Sequence, residues 1–154
     1  MAARQRRQMT MRGAQIIKDI IGNPSTLNDL PWESYKQPGR EGVEIHRLYD
    51  NSDTGNSGPA AALVRYRPGA VVKKHLHPGY ELIFVLDGEL INDAGRHGAG
   101  TLEICPPGSS HALSSETGCT FIVVWEQPVQ PFDQTPTPSS VPEIEGCGPM
   151  CVCR

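Results

Sequence analysis

The residues in this 154-residue chain best placed to do chemistry lie in the stretch His75-Leu76-His77-Pro78-Gly79-Tyr80-Glu81. In an extended strand, residues i and i+2 share a face about 6.6 Å apart. His75 and His77 therefore offer two imidazoles to one side, as a shared metal ion requires. Glu81 has the same parity, yet unbroken strand would carry it about 20 Å from His75. Ligand bonds of about 2 Å cannot span that gap, so the chain must reverse between His77 and Glu81. Pro78-Gly79 supplies the reversal. Proline fixes φ at the first central position of a tight turn, and glycine permits positive φ at the second. Folded back, Glu81 is expected to face the histidine pair from a neighbouring antiparallel strand.

A fourth ligand must come from elsewhere, and three histidines remain. His97 sits in the glycine-flanked "DAGRHGAG" and reads as a solvent-exposed loop residue. His46 is out of phase with the apolar face of its own segment and reads as a surface residue. His111 follows "PPGSS" at the start of a strand-like run and is the best candidate.

The elements that would position these side chains are mostly strands. With 16 Gly and 14 Pro in 154 residues, many connections must be short turns, which favours β-structure. "GVEIHRLYD" (42–50) alternates Val43, Ile45, Arg47 and Tyr49 with Glu44, His46 and Leu48. "AALVRYRPG" and "VVKKHLH" are separated by Pro68-Gly69. "ELIFVLDGELIN" is broken by Asp87-Gly88, a hairpin-type dipeptide. "GTLEIC", "HALSS" and "GCTFIVVWE" complete the set. Turn signals spaced about 8 to 12 residues apart predict an all-β sandwich or barrel.

Flanking this body, residues 1–29 read as an arm. Its basic first 13 residues look solvated, and "AQIIKDIIG" (14–22) sets Ile16, Ile17, Ile20 and Ile21 on one stripe of a short helix. Residues 129–154 form a Pro-rich tail. Six of the 14 prolines lie in the last 27 residues, and the chain ends in a cluster of Cys147, Cys151 and Cys153. Those thiols could bind a soft metal or form a redox disulfide, but a flexible tail with incidental thiols is the plainer reading.

The net charge of −3 and pI of about 5.9 give no field to recruit nucleic acid or an anionic membrane. No apolar run approaches the roughly 20 residues that cross a bilayer. Five cysteines, an odd number, imply no disulfide framework, so a cytoplasmic protein is expected.

Two spacings carry a resemblance. Gly69-x5-His75-x-His77-x3-Glu81-x6-Gly88 is similar to the first cupin motif, and Gly100-x5-Pro106-x-Gly108-x2-His111 is similar to the second. The second usually ends in Asn after three further residues, where this chain has Ser115. "PWESYKQPGREGVEIHRLYD", "VRYRPGA" and the "TGC" after the second motif resemble ChrR-type cupins, a group that includes domains of zinc-binding anti-sigma factors and small metal-dependent dioxygenases. The resemblance covers about residues 30–128. It implies a double-stranded β-helix, a jelly-roll barrel of residues 30–128, with His75, His77, Glu81 and His111 as ligands of one divalent transition metal (Fe, Zn, Mn or Ni).

Such a set leaves two octahedral positions for water, oxygen or a bidentate ligand. Ile83, Val85, Leu113 and Ser115 share the ligands' parity and should line an apolar cavity suited to a small organic molecule. The last strand contributes one of its two faces, Cys119-Phe121-Val123-Trp125 or Thr120-Ile122-Val124. Tyr80 falls on the outer face. Arg65, Arg67, Lys73 and Lys74 could bind an anionic substrate, though solvated strand edges are the plainer reading, and Cys105 reads as a small buried residue.

The leading expectation is a metal-dependent, dioxygenase-like enzyme acting on a small molecule. The alternatives are a non-catalytic metal-binding protein and a sensor related to the anti-sigma cupins. Against the sensor, about 30 N-terminal residues are few for a sigma-binding helical domain and carry no His/Cys zinc motif. A homodimer is expected, with the 14–22 helix as a candidate interface element.

Overall fold

In the structure, a computed structural model that describes residues 13–21, 23–50 and 58–132, nine strands follow one 3-10 helix, Pro24–Asp29. The strands are β1 (Glu33–Ser34), β2 (Arg40–Tyr49), β3 (Ala60–Leu76), β4 (Glu81–Asn92), β5 (Gly95–Gly98), β6 (Leu102–Cys105), β7 (Ser110–Ser115), β8 (Cys119–Trp125) and β9 (Gln130–Pro131).

Two long strands close the barrel. The first half of β3 pairs with β8 and its second half with β7 and β9, while β2 runs along both halves. In β4 the first half pairs with β8 and β6, and the second half with β5 and β7. The hydrogen-bonded circuit β3–β7–β4–β8–β3 therefore has no free edge. All these pairings are antiparallel, and the architecture is the expected all-β jelly roll.

Each long strand changes partners at a glycine bend, which corrects two sequence expectations. Pro68-Gly69 does not separate two strands; it bends one strand of 17 residues, with Gly69 at φ +81°. Asp87-Gly88 makes no hairpin but lies inside β4, beside a register shift against β8 between Val85 and Asp87. The hairpin instead falls at Asp93-Ala94, where the Asn92 side chain accepts from the Ala94 N–H at 2.8 Å. Closing a small barrel requires such corners, and a glycine with positive φ makes one as readily as it makes a turn.

Side chains alternate into the barrel as strand geometry dictates. Val64, Tyr66, Val72, Ile83, Val85 and Phe121 belong to the inner core. Of the two faces offered by β8, Cys119, Phe121 and Val123 point inward, and Ile122 packs on the outside.

A second cluster lies outside the sheet. Leu27, Leu63 and Leu86 are buried there, with Ile17, Ile20, Leu30 and Trp32 against them. Both faces of this part of the sheet are covered, which is why Ala61 to Val64 are all buried.

This outer layer corrects the N-terminal expectation. Residues 14–19 carry no regular structure and 20–21 form a turn, so no helix spans 14–22. Ile17 and Ile20 dock on the sheet, while Ile16 and Ile21 stay exposed. The apolar spacing recorded burial, but the sheet surface supplies it to an irregular strap. A helix at 14–22 is therefore no candidate for a dimer interface.

His46 is likewise buried rather than on the surface, beside the Trp32 ring and 3.3 Å from the Pro31 carbonyl. Trp32 also carries the Arg65 guanidinium over its ring at 4.1 Å, so Arg65 is not simply solvated. Arg67 is exposed and pairs with Glu44. The arm before residue 13 and the tail after residue 132, with Cys147, Cys151 and Cys153, lie outside the described residues.

Gly88 generates a test of this frame. Its φ is +74°, and a Cβ there would meet the Gly118 carbonyl oxygen and the Cys119 backbone. Gly88→Ala should destabilise the barrel by more than about 2 kcal/mol. Gly98→Ala, with open space around it, should shift the melting temperature little; equal melting temperatures for the two variants would contradict the assigned corner.

Candidate metal centre

His75, His77, Glu81 and His111 are brought together inside the barrel, all buried, with one ligand atom from each lying within 4.8 Å of the others. His75 comes from the end of β3 and stands directly opposite His111 of β7 in the ladder. The three imidazoles are mutually close to perpendicular, at 77–82°, with centroids 4.5–5.1 Å apart.

Glu81 arrives differently from expectation. It opens β4, which pairs with β5, β6, β7 and β8 but not with β3. Pro78-Gly79 therefore forms a bend that carries the chain to another strand pair, not a two-strand turn, and Gly79 is not among the positive-φ glycines. Glycine leaves room here for a neighbour: a Cβ would sit 3.0 Å from the Glu126 side chain. That side chain accepts from the Tyr80 N–H at 2.9 Å, holding the bend. Tyr80 itself is exposed, as its parity predicts.

Hydrogen bonds on the far side of each ring fix the tautomers. The Nδ1–H of His75 donates to the Lys73 carbonyl at 3.1 Å, an acceptor only. The Ser109 hydroxyl donates to the Pro106 carbonyl at 2.6 Å, so its oxygen accepts from His77 Nδ1–H at 2.9 Å. His111 Nδ1–H donates to Glu103 Oε1 at 3.1 Å. With the rings neutral, every Nε2 is left to present a lone pair to the common centre, the arrangement that metal-bound histidines adopt.

The atoms at the centre are otherwise unsatisfied. His77 Nε2, His111 Nε2 and Glu81 Oε1 are buried without a hydrogen-bond partner. Glu81 Oε1 lies 3.4 Å from His77 Nε2 and 3.2 Å from His111 Nε2. Leaving a buried polar atom unpartnered costs about 1–3 kcal/mol, and here three share one point. A divalent cation among them satisfies all at once, so the four residues fit a metal ion.

Electrostatics agree with that fit. Burial lowers the His75 pKa to about 4 against the pull of the Lys73 carbonyl and Glu81, and it also lowers that of His77. His111 goes the other way. Burial opposes its charge, but Cys105, Glu103 and Glu81 outweigh this and push it up to about 11. Negative potential concentrates where a cation would sit.

Three supporting residues escaped the sequence reading. Glu103 is the hub: its Oε1 accepts from His111, from Asn92 Nδ2 at 2.9 Å and from the Cys105 thiol at 3.3 Å. Hydrogen bonds to His111 and Cys105 hold its carboxyl below the usual range despite burial. His97, expected to be solvent-exposed, is half-buried and bonds Asn92 Oδ1 at 2.8 Å, the outer end of the same chain of contacts. Glu103, Cys105 and His111 also lie close enough to hold an ion, but His111 faces them with the nitrogen that carries its proton. Tyr66 is the third. Its phenol lines an inner cavity of about 20 Å³ with His75 and Glu81, and burial raises its pKa so that it keeps its proton. Parity with the ligands could not find Tyr66: the inward face of β3 is even-numbered from Val64 through Val72 and changes only at the irregularity between Val72 and His75.

Ile83, Val85, Leu113 and Ser115 are all buried, as expected, and Ile83 and Leu113 line the inner cavity. Cys105 is buried too.

The ChrR cupin-like domain model matches residues 25–129, and the chain belongs to that family. No curated protein matches it. Among solved structures, the chain is similar to the anti-sigma factor ChrR in complex with SigE from Rhodobacter sphaeroides, at 30% identity and a TM-score of 0.52, over 64% of this chain and 50% of that one. The polyketide cyclase RemF from Streptomyces resistomycificus matches at 23% identity and 0.57, over 72% and 85%. An acetylacetone dioxygenase from Acinetobacter johnsonii matches at 13% identity and 0.61, over 87% and 86%. The last two likenesses show the shared fold. Among the described residues no helix is long and apolar enough to cross a membrane.

Glu103→Gln and Ser109→Ala should each weaken metal binding roughly 10- to 100-fold, because they release the rings that aim Nε2 inward. Competition against a chelator measures this, with Tyr80→Ala as the unaffected control. Unchanged affinity in both variants would contradict the assigned support.

Proposed function

We propose that His75, His77, Glu81 and His111 bind one divalent transition metal, and that the 30–128 barrel is a metal-dependent enzyme, dioxygenase-like, acting on a small organic molecule. The observation that carries this reading is the convergence of three unpartnered, buried ligand atoms on one point beside an apolar cavity. The imidazole-rich donor set suits Fe, Zn or Ni, and the carboxylate also admits Mn. Bound there, the ion would supply Lewis acidity or, if redox active, oxygen chemistry.

The chain's own residues do the rest. Glu103, Ser109 and the Lys73 carbonyl hold the rings in their tautomers. Ile83, Leu113, Phe121 and Val123 keep bulk water from the centre. Tyr66 presents a protonated phenol to the cavity and can donate a hydrogen bond to an oxygen that reaches it.

A second reading, a regulatory or sensor domain, is favoured by the 30% identity to ChrR. Cytoplasmic location and a homodimer belong to both readings; a monomer by light scattering would remove the dimer.

Elemental analysis of the isolated protein should find a stoichiometric transition metal, lost when His75 and His77 are both replaced by Ala. Retained metal in that variant would refute the ligand set. The iron-loaded protein should consume oxygen with small diketones or phenolic ketones. A flat trace across that panel would contradict the enzymatic reading and leave the regulatory one.

A further inference from the structure

Two spaces lie on either side of His75. The inner cavity, about 20 Å³, has room for about one water molecule. The outer cleft, about 600 Å³, runs between residues 37–40 and 129–132 over the end of β3, and is of a size that takes small molecules. Arg40 and His75 border both spaces. Of these two spaces only the cleft takes an organic body, one end of which would reach past Arg40 toward the centre.

The cleft's charge is one-sided. Arg40, Lys73 and Lys74 line it, and no Asp or Glu does. Lys74 is engaged by Asp93 at 3.1 Å. Among the described residues, neither Arg40 nor Lys73 has a carboxylate within ion-pair distance. The Arg40 guanidinium stacks on the Tyr35 ring at 4.5 Å, which orients the planar fork while leaving its N–H donors available. Pro38, Val129, Pro131 and Phe132 give the cleft an apolar wall.

We propose that this cleft binds a small organic carboxylate. The carboxylate sits on the Arg40 fork, the apolar body lies against Pro38, Val129, Pro131 and Phe132, and the other end is directed past Arg40 toward His75. This deepens the metal-centre reading by naming the ligand class, and only the direction toward His75 depends on that centre. Arg40 is a specificity-determining residue in this account. Sequence reasoning passed over it because Arg40 precedes the motif region and enters the site only through the pairing of β2 with β3 at Val72.

Calorimetric titration with benzoate and with its neutral counterpart benzamide, on metal-free and zinc-loaded protein, tests the proposal. Benzoate should bind at least roughly tenfold tighter than benzamide in both forms, since charge-assisted pairing favours the anion. Arg40→Gln should abolish that preference, Arg40→Lys should keep part of it, and Lys73→Gln should change it by less than about threefold. Melting temperature and zinc content should stay at wild-type values in both Arg40 variants, separating a lost anion site from a lost fold. Equal affinity for the two probes, no benzoate binding, or an unchanged preference in Arg40→Gln would overturn the proposal. A preference confined to the zinc-loaded form would also overturn it, by assigning the carboxylate to the metal. Absence of bound zinc with the benzoate preference intact would sink the metal-centre reading while supporting the Arg40 site.

Discussion

The constraint on which this structure depends is that lone pairs from three imidazoles and a carboxylate point at one spot inside an apolar barrel. Each alone would be better off in water or against a donor. Together they repel one another unless a cation or a proton lies between them. The surrounding architecture holds them in that arrangement. The β3–β7 ladder sets His75 opposite His111, and the bend at Pro78-Gly79 delivers Glu81 from a different strand pair. Hydrogen bonds to the Lys73 carbonyl, Ser109 and Glu103 take the Nδ1 proton of every ring outward. Those contacts account for why the turn between β6 and β7 is tied so closely to the end of β3: Gly108 N–H donates to the His77 carbonyl, and His77 N–H donates to that of Ser109.

Charge balance extends the same logic outward. A divalent ion with three neutral imidazoles would be matched by the carboxylates of Glu81 and Glu103, one at the centre and one behind His111. Asn92 and His97 continue the contacts to the edge of the β4–β5 hairpin. On the opposite side, toward the cleft, the potential is set by Arg40 and Lys73, which have no carboxylate partner among the described residues. The barrel interior thus gathers donors that fit a cation, while the cleft that approaches it is lined by cationic side chains.

Much of the centre was legible in the sequence because its cues are local. Parity put His75 and His77 on one face, the reach of a strand demanded a reversal before Glu81, and a proline-glycine pair stood where it was needed. The all-β class followed from turn spacing. What was not legible is what non-local packing decides. His46 looked like a surface residue, but Pro31 and Trp32 lie against it. The isoleucine stripe at 16–21 signalled contact but not conformation, since a sheet's outer face accepts an irregular segment as well as a helix. Asp87-Gly88 had hairpin chemistry, yet the strand continued through it, because closing the barrel needs a corner at that point. Glu103 and Arg40 act on residues distant in sequence, and only the strand registers bring them there.

X-ray absorption at the edge of the bound metal tests the central claim most directly. The account predicts a shell of nitrogen and oxygen only, with the scattering of three imidazole rings and bonds of about 2.0–2.2 Å. A sulfur scatterer at about 2.3 Å, from Cys105 or from the terminal cysteines, would contradict it, as would a shell with fewer than three imidazoles.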